Sequence, residues 1–205
     1  MTAVLRPISR AELPVDTEAM ARFLIGKLLV RDTPEGRATG RIVETEAYPP
    51  GDASGHHFRG ETAANRSMFL EPGRAYVYFI YGVHFMLNVS SEPARIGGGV
   101  LFRALEPVDG IALMQARRGP VPLRDLARGP GRLAQAMAVG PELNGLDMCR
   151  DGAIWLAEAP SAAGEIGSSV RIGITKEAHQ LRRYFERGNP CVSGRVALNT
   201  GIEST

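Results

Sequence analysis

Apolar positions near the start of the chain keep a helical period. Met20, Phe23, Leu24, Ile25, Leu28 and Leu29 recur at i, i+3 and i+4, which predicts a core-facing helix capped by Asp16 and reaching about Val30. Thr33-Pro34-Glu35-Gly36 reads as a turn. Residues 38–48 read as a strand carrying Ile42 and Val43, which Pro49-Pro50-Gly51 stops because proline denies a ladder its donor. A polar loop follows over 52–60. A short helix is predicted after Thr62, with Met68 and Phe69 turned inward, and Glu71-Pro72-Gly73-Arg74 makes another turn. Residues 75–81 and 83–90 are strongly β-prone, and Tyr81-Gly82 between them predicts a hairpin. In its second strand Phe85, Leu87 and Val89 share one face, and His84, Met86 and Asn88 the other. Gly97-Gly98-Gly99 is a flexible joint. Beyond it, 100–105 reads as a strand, 108–118 and 132–139 as helices, and 153–158, 170–175 and 184–187 as further strands. No repeat, long linker or composition shift divides the chain, so one domain over residues 1–205 is expected.

Composition narrows the class. With 205 residues the chain can build a substantial core without disulfide or metal staples. Its two cysteines, Cys149 and Cys191, form no CxxC, which argues against a structural zinc site and suits a reducing cytoplasm. The N-terminus has no apolar core of signal-peptide length, and no later run could span a bilayer, so a cytoplasmic protein is expected. The net charge is only +2, but arginines cluster. Arg117, Arg118, Arg124, Arg128 and Arg132 form one group, and Arg171, Lys176, Arg182, Arg183, Arg187 and Arg195 a second. Each group suits either a phosphate-tracking surface or a solvated helical face.

Candidate chemistry gathers in residues 41–107, which hold three of the four histidines and four of the five tyrosines. Arg103 is a lone charge on an apolar strand and calls for a buried carboxylate. Glu44 and Glu46, two apart on a strand, face one side roughly 7 Å apart. Such a pair can serve a glycosidase-like mechanism or simply line an exposed strand edge. His56, His57, His84, Asp52 and Glu46 offer metal-ligand chemistry, but no HxH, HExxH or paired-cysteine spacing supports it, so no metal is expected. There is no Gly-x-Ser-x-Gly elbow and no P-loop; Gly129-Pro130-Gly131 suits either a phosphate or an ordinary helix start. Tyr48, Tyr76, Tyr78 and Tyr81 are many for one hairpin, since each hydroxyl needs a partner. They can wall a pocket for a flat ring or pack as ordinary sheet residues. Asn88 reads equally as an amide satisfied by backbone at its strand's end.

Taken together, the segment from Ile42-Val43-Glu44-Thr45-Glu46-Ala47-Tyr48, the His-x-x-Arg-Gly loop, Asn65-Arg66-Ser67-Met68-Phe69, Tyr76-Val77-Tyr78-Phe79-Ile80-Tyr81-Gly82, Asn88 and Arg103-Ala104-Leu105-Glu106-Pro107 resemble the alkyladenine (3-methyladenine) DNA glycosylases. The match is ordered and covers about residues 20–195. The resemblance implies a mixed α/β (α+β) fold with a curved, largely antiparallel sheet, surrounding helices and a protruding β-hairpin. It implies excision of alkylated or deaminated purines of the 3-methyladenine, 7-methylguanine, hypoxanthine or ethenoadenine type from double-stranded DNA, after the nucleotide leaves the stack. By that resemblance Glu46 is the general base and Arg103 holds it and the attacking water. Tyr48, Tyr78 and a histidine stack on the base, Asn88 crowds the exocyclic amine of normal guanine, and Tyr81 fills the gap in the duplex.

Further expectations follow from the same resemblance. Helices and the two arginine-rich segments line the phosphates. No cofactor, metal, membrane or obligate protein partner is implied, and a monomer is expected. No lysine sits near the motifs, so no Schiff-base lyase step is suggested. Two departures stand out. Spacing to Arg59-Gly60 favours His56 as the base-contacting histidine, while counting from Tyr48 permits His57. Many relatives carry Thr-x-Arg-Asn where this chain has Thr62-Ala63-Ala64-Asn65, so a phosphate-contacting arginine is missing there unless Arg66 replaces it. The rivals are a hydrolase using Glu44 and Glu46 on a free nucleoside or sugar, and a non-catalytic binder of damaged DNA.

Overall fold

The computed structural model describes residues 5–80 and 82–200. The first helix, α1 (Thr17–Leu24), is capped as expected, the Asp16 carboxylate accepting from Ala19 N at 2.7 Å. It stops at Leu24 instead of near Val30. Ile25 turns to ψ 130° and Gly26 takes φ +84°, a left-handed geometry that favours glycine. The apolar run Leu28-Leu29-Val30 serves a buried helix and a buried strand equally, and here it opens β1 (Leu28–Thr33). Leu29 enters the main core, whereas Leu28 and Val30 pack with Trp155 and Ala157 on the other side.

The turn at 33–36 feeds β2 (Gly36–Tyr48), the spine of the sheet. One edge of β2 pairs with β5 (Gly99–Asp109) from Thr39 to Tyr48. Its other edge pairs first with β1 and then, from Glu44 to Glu46, with β8 (Arg183–Glu186). Completing the curled antiparallel sheet are β3 (Ala75–Ile80), β4 (His84–Ser90), β6 (Ile154–Ala157) and β7 (Ile166–Ser169). The order is β3-β4-β5-β2-β1-β6, with β7 on β8. Every pairing is antiparallel, as the fold class requires.

Two opposed bulges sit at the middle of β2 and β5. Ile42 pairs with Leu105, Glu44 with Ala104 and Thr45 with Phe102, so Val43 and then Arg103 are left without a partner across the ladder. Bulges of this kind bend a strand and re-aim side chains.

Helices cover one face. Met20 and Leu24 from α1, Met114 from α2 (Ile111–Arg118) and Leu133 and Ala136 from α3 (Pro130–Ala136) share a core with Ile42, Leu87, Phe102 and Leu105. The start of α2 comes later than residue 108 because β5 runs on to Asp109 and Gly110, at φ +67°, makes the turn. The short helix after Thr62 is the 3-10 turn Arg66–Phe69. No strand forms at 170–175; β7 lies just before it, and Arg171 turns inward to Ala47 O and Asp52 instead of joining a ladder.

The hairpin closes at Ile80↔His84 with Gly82 at φ +67° in the turn; Tyr81 lies outside the described residues. Its period-two reading holds from Phe85 to Val89, whereas His84 leaves the face of Met86 and Asn88 for a separate groove beside α3. Leu87 and Val89 enter the core with Phe85 packed against it, while Met86 and Asn88 face a cavity on the opposite side.

Candidate functional site

That cavity, of about 350 Å³, gathers Glu46, Tyr48, His56, Tyr78, Asn88 and Arg103 from four strands and a loop. Six of the seven expected site residues thus meet at one place, and the seventh, Tyr81, is not described. Tyr76, Met68, Met86, Leu101, Ile172 and Pro130 fill out the wall.

Glu46 is fully buried at the cavity's edge. Oε1 accepts from Ile172 N at 2.8 Å and lies 3.2 Å from Arg103 Nη1; Oε2 accepts the Tyr48 hydroxyl at 2.9 Å. Burial pushes its pKa up against the opposing pull of Arg103. Glu44 has a different fate. Its Oε1 accepts from Arg103 Nε and Arg183 Nε, both at 2.7 Å, and from Ser193 Oγ at 2.9 Å. Its Oε2 accepts Ser193 N at 2.6 Å. Burial works to raise its pKa, but Arg103 and Arg183 outweigh it and hold the carboxyl below the usual range. The two carboxylates do share a side, as their spacing predicts, and Arg103 bridges them. Glu44 is nonetheless a saturated counter-ion that does not line the cavity. A hydrolase that uses both carboxylates on one small substrate does not fit this geometry.

The aromatic wall is tied together by hydrogen bonds. His56 Nδ1 and the Tyr76 hydroxyl are 2.9 Å apart, and the His56 ring lies 4.3 Å from that of Tyr78 by centroids. His57 faces away; it is 5% exposed and its Nε2 donates to Pro49 O at 2.8 Å. Of the two adjacent histidines, His56 is therefore the one at the cavity. Burial lowers the pKa of both imidazoles, with each other's charge adding to the effect at His56, which favours the neutral ring. Asn88 joins both of its readings. Its Nδ2 donates to Tyr76 O at 3.2 Å, and it still lines the cavity.

Polar staples hold the loop that carries His56. Asn65 Nδ2 donates to His56 O at 2.9 Å and Gly60 O at 3.0 Å, while its Oδ1 accepts Thr62 N. Asp52, buried beneath the loop, pairs with Arg171 and Arg182. Arg66 stays on the surface, 3.6 Å from Glu61.

Sequence reasoning offered Tyr76 as a pocket wall, which it is, but missed the Ile172 amide, Ser193, and the inward arginines Arg171 and Arg183. Both arginines sit in the C-terminal basic group, and that reading needs correction. Arg171 and Arg183 are fully buried, Arg182 is bound to Glu18 and Asp52, and Arg187 to Glu165. These four cations are taken up by carboxylates of the protein and offer no phosphate-tracking surface, while Lys176 and Arg195 of the same group stay exposed. In the other basic group, Arg117, Arg118 and Arg128 donate to the carbonyls of Ala136, Leu126 and Val192. Arg124 and Arg132 remain exposed. His84 faces a separate groove beside α3, and no described trio of His, Cys, Asp or Glu could hold a metal ion. Among the described residues no helix is long and apolar enough to cross a membrane.

Comparison with known proteins agrees with this layout. The family described as methylpurine-DNA glycosylase matches residues 11–190. A protein of Mesorhizobium japonicum, provisionally named a 3-methyladenine DNA glycosylase, is 63% identical over 94% of this chain and 92% of its own length. Proteins given the same provisional name in Paraburkholderia phytofirmans (52% identical; 92% and 88% covered) and Methanoculleus marisnigri (46%; 88% and 95%) are similar throughout.

Proposed function

The chain belongs to the methylpurine-DNA glycosylase family, and from that premise we propose that it is a monofunctional DNA glycosylase acting on alkylated or deaminated purines in duplex DNA. The observation that carries the mechanism is a buried, fully positioned Glu46 at the edge of an aromatic cavity.

A purine inside the duplex cannot bring its C1′ to Glu46, so the damaged nucleotide rotates out of the stack into the cavity. Tyr48, Tyr78 and His56 supply its walls, and a base made electron-poor by alkylation stacks well on tyrosine faces. Glu46 then removes a proton from the water that attacks C1′ as the N-glycosidic bond breaks and the base departs with the bonding electrons. A carboxylate is the right base here. Burial raises its proton affinity above that of an ordinary carboxylate, while Arg103, Ile172 N and the Tyr48 hydroxyl keep the charged form accessible. Arg103 is itself aimed by Glu44, whose hold on Nε leaves Nη1 for Glu46. Tyr81, between Ile80 and Gly82, is the side chain that fills the emptied stack, and Asn88 excludes a guanine 2-amino group.

Among the described residues no lysine lines the cavity to form a Schiff base. Of the chain's two lysines, Lys27 is held by Glu158 and neither lines the cavity. We place the protein in the cytoplasm as a monomer that needs no protein partner or cofactor. The test uses end-labelled duplexes bearing one hypoxanthine or ethenoadenine, incubated in chelator with wild type or Glu46→Gln and then treated with hot alkali. A break with wild type alone, and only after alkali, is the expected result. No break, together with no release of 3-methyladenine from methylated DNA, sinks the enzyme reading and leaves a damage-binding protein.

A further inference from the structure

Arg171 is a buried cation for which the proposed reaction has no task. Its side chain is 0% exposed. Nη1 donates to Ala47 O at 2.9 Å and pairs with Asp52, which also accepts Arg182 Nη1 at 3.0 Å. Nε and Nη2, both buried, find no hydrogen-bond partner among the described residues. Guanidinium N–H groups in that position are costly unless something else meets their charge. What meets it is a ring: the guanidinium carbon lies 4.6 Å from the centroid of Tyr48. Tyr48 lines the cavity and Arg171 does not, so the tyrosine stands between the cation and whatever the cavity holds.

We propose that Arg171 is a specificity-determining residue: by holding positive charge against the rear of Tyr48, it biases the cavity toward neutral damaged purines and against cationic ones. This rests on the glycosylase reading, in which the flipped base stacks on the front of that ring. An aromatic face attracts a cation through its quadrupole, and a guanidinium behind the ring already draws on that attraction. A cationic base in front also meets Arg171 directly, across 4.6 Å to the ring plus about 3.5 Å of stacking. A neutral purine of the same shape feels neither effect. Asp52 cancels part of the charge but lies beyond the guanidinium, on the Nη1 side.

A purely structural part for Arg171 makes a different prediction. Its neighbour Ile172 holds Glu46, and Asp52 anchors the loop carrying His56. Damage to that scaffold slows every lesion alike, whereas an electrostatic bias changes their ratio.

The experiment is single-turnover excision from duplexes carrying one 7-methylguanine, which is cationic, or one hypoxanthine, which is neutral. Wild type, Arg171→Gln and Arg171→Lys are compared by the ratio of the two rates within each preparation, so the folded fraction cancels. Removing the charge with Arg171→Gln shifts the ratio toward the cationic base by about threefold to tenfold, the scale of two like charges about 8 Å apart at an effective dielectric of about 20 after partial cancellation. Arg171→Lys keeps the charge and stays close to the wild-type ratio. Should Arg171→Gln fail to fold, Arg171→Gln combined with Asp52→Asn removes cation and counter-charge together and is read the same way. Equal slowing of both lesions, or a ratio that moves toward hypoxanthine, overturns the inference. Wild type that releases neither base sinks the glycosylase reading itself.

Discussion

Glu44→Gln is the sharpest test of how the site is held. The carboxylate is fully buried and accepts four hydrogen bonds, two of them from the arginines Arg103 and Arg183. Glutamine keeps the shape and removes the charge. Arg103 then retains Glu46, but Arg183 is left with only neutral acceptors at Ser169, Ser193, Leu198 and Asn199. Breaking a buried ion pair from one side costs about 3–5 kcal/mol, because the remaining charge stays desolvated. For a chain of this size that lowers Tm by roughly 6–20 °C.

The pH dependence carries a sign. The folded-state pKa of Glu44 is held below its unfolded value, so its stabilisation is present above the unfolded carboxylate range and is lost as pH falls through the folded pKa. The gap between wild type and variant is therefore full at neutral pH and shrinks in acid. Glu46 is the internal control. Its pKa is raised, so protonation favours the fold, and that contribution is lost as pH rises through the folded value. Glu46→Gln accordingly keeps or gains stability at neutral pH. Thermal denaturation of the three proteins between acid and neutral pH decides the matter. A Glu44→Gln protein as stable as wild type at neutral pH, or a difference that does not shrink in acid, refutes the counter-ion argument.

Three further outcomes follow from the same contacts. Glu46→Gln lowers single-turnover excision by about 10²–10⁴-fold, the usual reach of a general base, and retains binding to lesion-bearing duplex in a mobility-shift assay. Tyr48→Phe removes the hydroxyl donated to Glu46 Oε2, raising the carboxyl's pKa further and moving the acidic limb of the rate profile up by about one pH unit, as measured by excision rate against pH. Asn65→Ala strands the carbonyls of His56 and Gly60 and costs about 1–3 kcal/mol, seen as a lower Tm with slower excision; unchanged values for both would mean the loop needs no staple.

Local signals were legible where one period had one meaning. The alternation in 83–90 sends Leu87 and Val89 to the core and Asn88 to the cavity, and a single arginine on an apolar strand announces a buried carboxylate. Leu28-Leu29-Val30 was misread because a three-residue apolar run satisfies a helix stripe and a buried strand alike; Gly26 decides it through a turn that periodicity does not see. The opposed bulges at Val43 and Arg103 depend on register between strands nearly sixty residues apart, which no local pattern encodes.

The inward arginines are a different kind of omission, since their signal was present and concerned charge balance. Glu44 and Glu46 on a core strand and Asp52 on the loop behind it are three carboxylates that become buried together. Within residues 41–107 only Arg103 reaches them from the interior; further cations therefore have to come from elsewhere in the chain. Arg171, Arg182 and Arg183 meet that demand: Arg183 on Glu44, and Arg171 with Arg182 on Asp52. An arginine-rich segment in a chain of net charge +2 should thus be weighed first against the buried carboxylates it could neutralise, and only its remainder assigned to phosphate. Here that remainder is Arg124 and Arg132 near α3, Lys176 and Arg195 toward the C-terminus, and Arg59, Arg66 and Arg95 on the exposed loops, all solvent-facing. Those seven, and not the paired arginines of the C-terminal cluster, are where steep salt dependence of DNA binding should originate. Their substitution by alanine should reduce the slope of binding against salt concentration by about one phosphate each where contact is made.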